Sequence, residues 1–335
     1  MWRNTQSWEC SWRCSSPGAA SGATFGSVDS KNSYDILVVG AGAAGVAAIE
    51  GAVDQAAGGA SEPLSLAIVS DEDRLPYKRT KISKTIATGF AQEEFAVKDR
   101  EWYEANSVDL IVGRRIISVD AKEHLARLED GTLLGWGRLI LATGAEPRLP
   151  ESVDPSDEGV FCTHNASDIE GLRAWATEHP GRRGIILGGG VLGIEVAWEL
   201  HQMGVPVTIV GSGPRLLPRE LDEESSAELL RRCEGAGVEV YLGEKEYGLR
   251  SSRDGFSLTL PAAGRKLAGG FVVLAAGLVP RLEVARQAGI AANRGVLVNQ
   301  YLRTSAADIY SAGDCCEHPD GRVTHLWRDA LRQGQ

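Results

Sequence analysis

The sequence predicts an α/β fold of two Rossmann-like dinucleotide-binding domains, because one pattern occurs in it twice. Each copy runs from a short apolar strand into a turn with glycines at its first, third and sixth positions, and then into a helix. The two copies begin at Gly40 and Gly188. A lone glycine turn is weak evidence, whereas two correctly flanked ones about 150 residues apart are hard to produce by chance.

In the first copy Asp35–Val39 is a β-branched apolar run that feeds Gly40-Ala-Gly42-Ala-Ala-Gly45, and an alanine-rich helix is expected through about Ala57. The first glycine allows the tight turn, the second lets the backbone approach a pyrophosphate, and the third packs helix on strand. The pyrophosphate charge then faces the unpaired amides of the helix N-terminus. A second strand is predicted over Leu64–Val69 and ends at Ser70-Asp71-Glu72, where Asp71 or Glu72 is placed to accept a hydrogen bond from a ribose hydroxyl. The acid arrives later than the usual spacing of about 20 residues, and the small residues of Ala56–Pro63 look like a lengthened loop that accounts for the delay.

The second copy has a strand at Gly184–Leu187, the turn Gly188-Gly-Gly190-Val-Leu-Gly193, a helix over Ile194–Met203 and a strand over Pro206–Val210. The next residue, eighteen positions past Gly193, is Gly211. An acid there would favour NAD over NADP; Ser212 and Arg215 nearby could accept a 2′-phosphate, so the choice between NADH and NADPH stays open.

With 335 residues, 43% hydrophobic, 24% charged and 40 glycines, the chain is long enough for two domains and has a globular composition. No apolar run approaches the roughly 18 to 20 residues that span a bilayer, so no membrane role is expected. The net charge of −10 argues against nucleic acid as a partner but not against phosphorylated cofactors, which helix N-termini can hold. Cys10, Cys14, Cys162, Cys233, Cys315 and Cys316 form neither a disulfide framework nor paired zinc spacing; no metal site is expected, and thiols in a reducing cytoplasm are the simplest reading. Residues 1–33, rich in Ser, Gly and Trp, read as a disordered extension or a misplaced start; Arg3 and Arg13 leave an organelle-transit reading open.

Three further segments carry a family resemblance. Leu139-Ile-Leu-Ala-Thr-Gly-Ala-Glu-Pro147 is echoed by Val272-Val-Leu-Ala-Ala-Gly-Leu-Val-Pro280, and Thr304-Ser-Ala-Ala-Asp-Ile-Tyr-Ser-Ala-Gly-Asp314 stands near the end. With the two glycine turns, these resemble the FAD-dependent pyridine-nucleotide oxidoreductases over 34–335. The resemblance implies an interleaved chain: an FAD-binding domain over 34–146, an inserted NAD(P)-binding domain over 147–279, and the FAD-binding domain resumed over 280–335. It also implies that Ala142, Thr143, Gly144, Gly277 and Gly313 belong to the cofactor contacts, and that Asp314 binds the ribityl and pyrophosphate part of FAD.

Leu75-Pro-Tyr-Lys-Arg-Thr-Lys-Ile-Ser-Lys84 is similar to the segment of rubredoxin and ferredoxin reductases whose Arg and Lys, here Arg79 and Lys84, lie along the flavin. In that branch the lysine pairs with the acid after the second glycine turn, here Glu195. Thr324-His-Leu-Trp-Arg328 looks like the rubredoxin-reductase segment whose tryptophan, here Trp327, flanks the isoalloxazine. Without the resemblance, Lys84 and Glu195 are ordinary surface or helix charges.

The resemblance implies hydride transfer from NADH or NADPH to FAD and onward electron transfer to a rubredoxin or ferredoxin. Lys78, Arg79 and Lys81 would supply a basic docking patch on an otherwise acidic chain. Relatives continue into a third domain, so this chain, ending at Gln335, is expected to be truncated or to have an oligomer or partner subunit in that domain's place. No cysteine pair lies in the helix after Gly45, and adjacent Cys315 and Cys316 sit about 3.8 Å apart at Cα, too close for usual disulfide geometry. They read as small buried residues, so the flavin itself must deliver electrons outward. An NAD(P)H oxidase or quinone reductase needs the same two cradles, as does a non-catalytic flavin- or nucleotide-binding redox sensor.

Overall fold

The computed structural model describes residues 32–57, 63–150 and 153–335. The extension expected over 1–33 lies, apart from its last two residues, outside the described residues. So does the centre of the loop expected at Ala56–Pro63. In chain order the elements are β1 (Ser33–Val39), α1 (Ala43–Ala57), β2 (Leu66–Val69), a 3-10 helix (Arg79–Thr85), α2 (Gln92–Phe95), α3 (Arg100–Ala105), β3 (Val108–Ile111), β4 (Ile116–Asp120), β5 (Leu125–Leu128), β6 (Leu133–Leu141) and β7 (Ala145–Pro147). There follow β8 (Val160–Phe161), α4 (Ala166–Glu178), β9 (Gly184–Leu187), α5 (Val191–Gln202), β10 (Val207–Gly211), α6 (Glu223–Gly235), β11 (Glu239–Leu242), β12 (Gly248–Ser252), β13 (Gly255–Leu260), β14 (Arg265–Gly269) and β15 (Phe271–Leu274). The chain closes with β16 (Leu278–Pro280), α7 (Glu283–Gln287), β17 (Val296–Leu297), β18 (Ile309–Ser311), β19 (Cys316–Glu317) and α8 (Trp327–Gly334).

These elements sort into two units. One contains the described residues of 32–82 with Phe90–Pro147 and Leu278–Gln335; the other contains Ser83–Gly89 and the described residues of 148–277. In the first, strands run in the order β3-β2-β1-β6-β5-β4, with β18 also paired to β6. The β3, β2, β1, β6 and β18 pairings are parallel, while β4 and β5 extend the sheet as an antiparallel meander. Alternate side chains of β1 serve opposite faces. Leu37 and Val39 pack with Leu139, Leu141, Leu282 and Ala285 on the α7 side; Val38 packs with Val46, Ile49 and Ala330 on the α1 and α8 side. A strand buried on both faces reads as a continuous apolar run, which is the character of Ile36–Val39 in the sequence.

The second unit repeats the plan with the parallel order β11-β10-β9-β15-β8 and a separate antiparallel meander β12-β13-β14. Leu249, Phe256, Leu258 and Leu260 of the meander pack with Ile185, Leu187, Val272 and Leu274 of the parallel sheet. The α/β class with two Rossmann-like sheets expected from the repeated pattern is the fold found.

Some element ends differ from the sequence reading for local reasons. Strand β2 starts at Leu66, not Leu64, because Ser65 and Asp35 exchange hydrogen bonds at 2.8–2.9 Å just before it. Helix α5 starts at Val191, not Ile194, since Gly190 is its N-cap and the end of the glycine turn is already helical. Strand β10 runs over Val207–Gly211, one residue later than expected; proline has no N–H to offer a ladder, and Pro206 contributes only its carbonyl, to the Gly184 amide at 2.9 Å.

Candidate functional site

In the first unit the carboxyl ends of four neighbouring strands are tied in a row. The Gly40 amide donates to the Val69 carbonyl at 2.8 Å, Ala142 to Val39 at 2.8 Å, and Ala312 to Leu141 at 3.0 Å. This row places Gly40, Ala142 and the Gly313 loop along the edge of the parallel sheet where open α/β folds bind ligands. Gly40 has φ +106°, and a Cβ there would run into the Ala142 carbonyl; a Cβ on Gly45 would run into the Gly40 carbonyl. At Gly42, by contrast, a Cβ would meet nothing within 4 Å. The turn is therefore closed toward the protein at its first and third glycines and open at its second, at the N-terminus of α1.

The second unit builds the same object. Gly188 donates to Val210 at 2.8 Å and Ala275 to Leu187 at 2.9 Å. Gly188 has φ +144° and abuts the Ala275 carbonyl, Gly193 abuts the Gly188 carbonyl, and the Cβ direction of Gly190 is open to 4 Å. Gly144 and Gly277, in the two echoed strands' exits, are likewise open at the Cβ position. Room of this kind beside amides that lack intrahelical partners fits the pyrophosphate of a dinucleotide in each unit.

Lys84 and Glu195 come together, although 111 positions separate them in sequence. Lys84 Nζ lies 3.5 Å from Glu195 Oε1, and Ser83 Oγ donates to Glu195 Oε2 at 2.7 Å. Both residues belong to the second unit, because Ser83–Gly89 is packed there. The lysine side chain is 57% exposed. A pair that open to solvent contributes about 0–1 kcal/mol to stability, so its presence asks for a reason other than folding.

The remaining expected residues sit in the first unit. Glu72 accepts from the Tyr77 hydroxyl at 2.6 Å and is ion-paired with Arg79, whose guanidinium also lies over the Tyr77 ring. Arg79 was expected to join Lys78 and Lys81 in a basic patch; with its charge matched by Glu72, only the two lysines stand exposed. Asp71 pairs with Arg281 at 3.0 Å and lies 3.8 Å from Arg115. Thr143 Oγ1 donates to the Arg281 carbonyl at 2.9 Å, so the Ala-Thr-Gly exit, Arg281 and Asp71 form one chain of contacts. Asp314 Oδ2 lies 3.8 Å from His325 Nδ1, and the preceding Gly313 amide donates to Gln333 Oε1 of α8 at 2.7 Å. Trp327 is half-buried as the first residue of α8.

Cys315 and Cys316 are buried, as the sequence reading had it, and burial, helped by the neighbouring Cys315 and Asp314, pushes the Cys316 thiol up to about 12. Cys233, Cys315 and Cys316 are free thiols. Among the described residues no group of three or more His, Cys, Asp or Glu could hold a metal ion, and no helix is long and apolar enough to cross a membrane. Sequence reasoning missed Arg173 and Glu199, which grip the Lys84 segment. Glu199 carried a usable signal: it lies four residues after Glu195, hence on the same helix face.

The family model for the pyridine nucleotide-disulphide oxidoreductases matches residues 34–334. The chain belongs to this family. It is 32% identical over 284 residues to the ferredoxin–NAD(+) reductase component of the biphenyl dioxygenase system of Paraburkholderia xenovorans (strain LB400), covering 85% of this chain and 68% of that protein. It is 29% identical over 281 residues to the rubredoxin-NAD(+) reductase of Pseudomonas putida, covering 84% and 71%. The crystal structure of NADH:rubredoxin oxidoreductase from Clostridium acetobutylicum superimposes with a TM-score of 0.74 at 26% identity, over 90% of this chain and 73% of that one. Helix α1 contains no cysteine, so no dithiol follows the first glycine turn.

Proposed function

We propose that the chain is an FAD-dependent NAD(P)H oxidoreductase that passes electrons to a small redox protein of the rubredoxin or ferredoxin type. The repeated glycine turn carries this reading: each unit has one turn closed at its outer glycines and open at the middle one, at the head of a helix. When bound, FAD accepts a hydride from NAD(P)H and releases the electrons singly, a chemistry that resides in the cofactor.

The protein's own residues bind and orient. Gly40, Gly42 and Gly45 with the α1 amides hold the FAD pyrophosphate, Asp71 and Glu72 supply acceptors for its ribose, and Gly144, Gly313 and Asp314 complete the seat. Gly188, Gly190 and Gly193 with the α5 amides, together with Gly277, hold the nicotinamide nucleotide. Lys84, directed by Glu195 and Ser83, would supply a positive charge to stabilise reduced flavin, and Trp327 would help to hold the ring system. Lys78 and Lys81 give an acidic partner a point of attraction. The free cysteines suit a reducing, cytoplasmic setting.

The test is spectroscopic. Purified protein loaded with FAD is titrated without oxygen with NADH and, separately, NADPH; bleaching of the yellow colour by one of them, followed by reoxidation on adding rubredoxin or ferredoxin, is the expected result. Yellow protein that neither nucleotide bleaches would end the enzyme reading and leave a binding module. Bleached protein that only oxygen or a quinone reoxidises would replace the protein acceptor by a small molecule.

A further inference from the structure

The segment Ser83–Gly89 lies between two stretches of the first unit in sequence, yet it is packed in the second. What holds it there is a grip on one residue from two sides. The Ala87 amide donates to Glu199 Oε2 at 3.1 Å, and the Ala87 carbonyl accepts from the Arg173 guanidinium. The same Arg173 Nη1 donates to the Ile86 carbonyl at 2.7 Å. Glu199 is buried, at 8% exposure, on the face of α5 that one turn earlier presents Glu195; Arg173 comes from α4. Ser83, Thr85 and Ile86 are buried as well, so the segment has little freedom to turn about its own axis.

Held in this way, the segment directs Lys84 onto Glu195. A lysine with four side-chain torsions and 57% exposure has many rotamers, and one solvent-facing ion pair selects among them weakly. Fixing the backbone that carries it is the remaining means of fixing the ammonium. We propose that Arg173 and Glu199 are positioning residues that pin Ser83–Gly89 at Ala87 and thereby set Lys84 against Glu195. The inference rests on the role given to Lys84 above.

The test compares Arg173→Ala, Lys84→Met and the double variant in the FAD-loaded protein, with hydrogen exchange of the peptide spanning 83–90 as a second readout taken in the absence of cofactor. Arg173→Ala is expected to slow anaerobic flavin reduction at least about tenfold, the effect of losing its charge-assisted hydrogen bonds to the Ile86 and Ala87 carbonyls, while the dissociation constant for the oxidised nucleotide stays unchanged. Exchange of the 83–90 peptide should quicken about as much. The double variant should be no slower than Lys84→Met alone, because residues that act through one another are not additive. Glu199→Gln should recover most of the rate lost in Glu199→Ala, since an amide oxygen still accepts from Ala87; Arg173→Lys serves as a milder probe if Arg173→Ala fails to fold. Unchanged exchange in Arg173→Ala, or effects that multiply in the double variant, would overturn the proposal. Lys84→Met with wild-type reduction would instead remove the role of Lys84, and the link drawn here with it.

Discussion

The Gly190→Ala substitution adds one methyl group where φ is −87° and ψ −176°, and where no atom of the protein lies within 4 Å. Alanine adopts that extended backbone freely, so the folded state gains no strain and the unfolded state loses entropy, a net stabilisation of about 0.4–1 kcal/mol. For a unit of this size the melting temperature should rise by roughly 1–4 °C. The methyl nevertheless occupies the space in which a pyrophosphate reaches the first-turn amides of α5. Displacing one charge-assisted hydrogen bond is worth about 1.5–3 kcal/mol, or roughly ten- to 150-fold in Kd. Gly188→Ala, two residues earlier, should do the reverse in kind: with φ +144° and the Ala275 carbonyl in the way, it should lower the melting temperature before binding is considered. Differential scanning calorimetry with isothermal titration of NAD and NADP separates the two variants. A Gly190→Ala protein that melts normally and binds either nucleotide at wild-type strength would refute the assignment of that space to the pyrophosphate.

Three further outcomes are expected. Burial and the nearby Glu283 raise the Glu146 carboxyl above its ordinary value of 4.5, against the pull of Arg281 and Arg115. The folded state therefore binds a proton more tightly than the unfolded one, and this contribution to stability, full below about pH 4.5, is lost as pH rises through the folded value. Thermal melts between about pH 4 and 7 should show that loss in the wild type and not in Glu146→Gln, and a pH-independent difference between them would contradict it. Iodoacetamide at about pH 8, read by peptide mass spectrometry, should leave Cys315 and Cys316 unmodified until the protein unfolds, since the first is fully buried and the second a protonated thiol; early labelling of either would contradict their burial. Gly334→Ala places a Cβ against the Ala44 carbonyl and 2.7 Å from the Ala47 Cβ, so it should force α8 from α1, lower stability by about 1–3 kcal/mol and weaken FAD retention; an unchanged melting curve would show that the helix end is not held there.

The parts of the fold that were legible in the sequence are those in which one residue type has one steric solution. Gly40 and Gly188 must be glycine because a carbonyl of the next strand exit stands where a Cβ would go, and each announces a strand before it and a helix behind it. The apolar run of Ile36–Val39 announced burial on two faces for the same kind of reason. Helix α4, with its Asn165–Asp168 capping box, carries an equally local signal that gave its function no hint. What could not be read is what depends on residues meeting from afar. Arg281 and Asp71 are 210 positions apart, and no pattern in either neighbourhood couples them. Arg173 lies in an ordinary amphipathic helix, and nothing about it in sequence marks a partner 86 positions away at Ala87. The Lys84–Glu195 pair was reached only through the family resemblance, since isolated charges on a helix or loop have no periodicity to betray them.

Because seven residues encoded between parts of the first unit are built into the second, the gene is not modular where its glycine turns suggest. A fragment cut at 147 and 279 would carry the second turn, α5 and both meander and sheet, but would leave Glu195 without Lys84 and the buried Glu199 without the Ala87 amide. The Glu199 carboxylate, buried in the full chain, would lose the Ala87 amide on the flank of α5 that Ser83–Gly89 covers. Exchange of nucleotide specificity between relatives by transplanting the inserted half would therefore succeed only if Ser83–Gly89 travelled with it, two separate segments of the host having to be replaced to move what behaves as one piece.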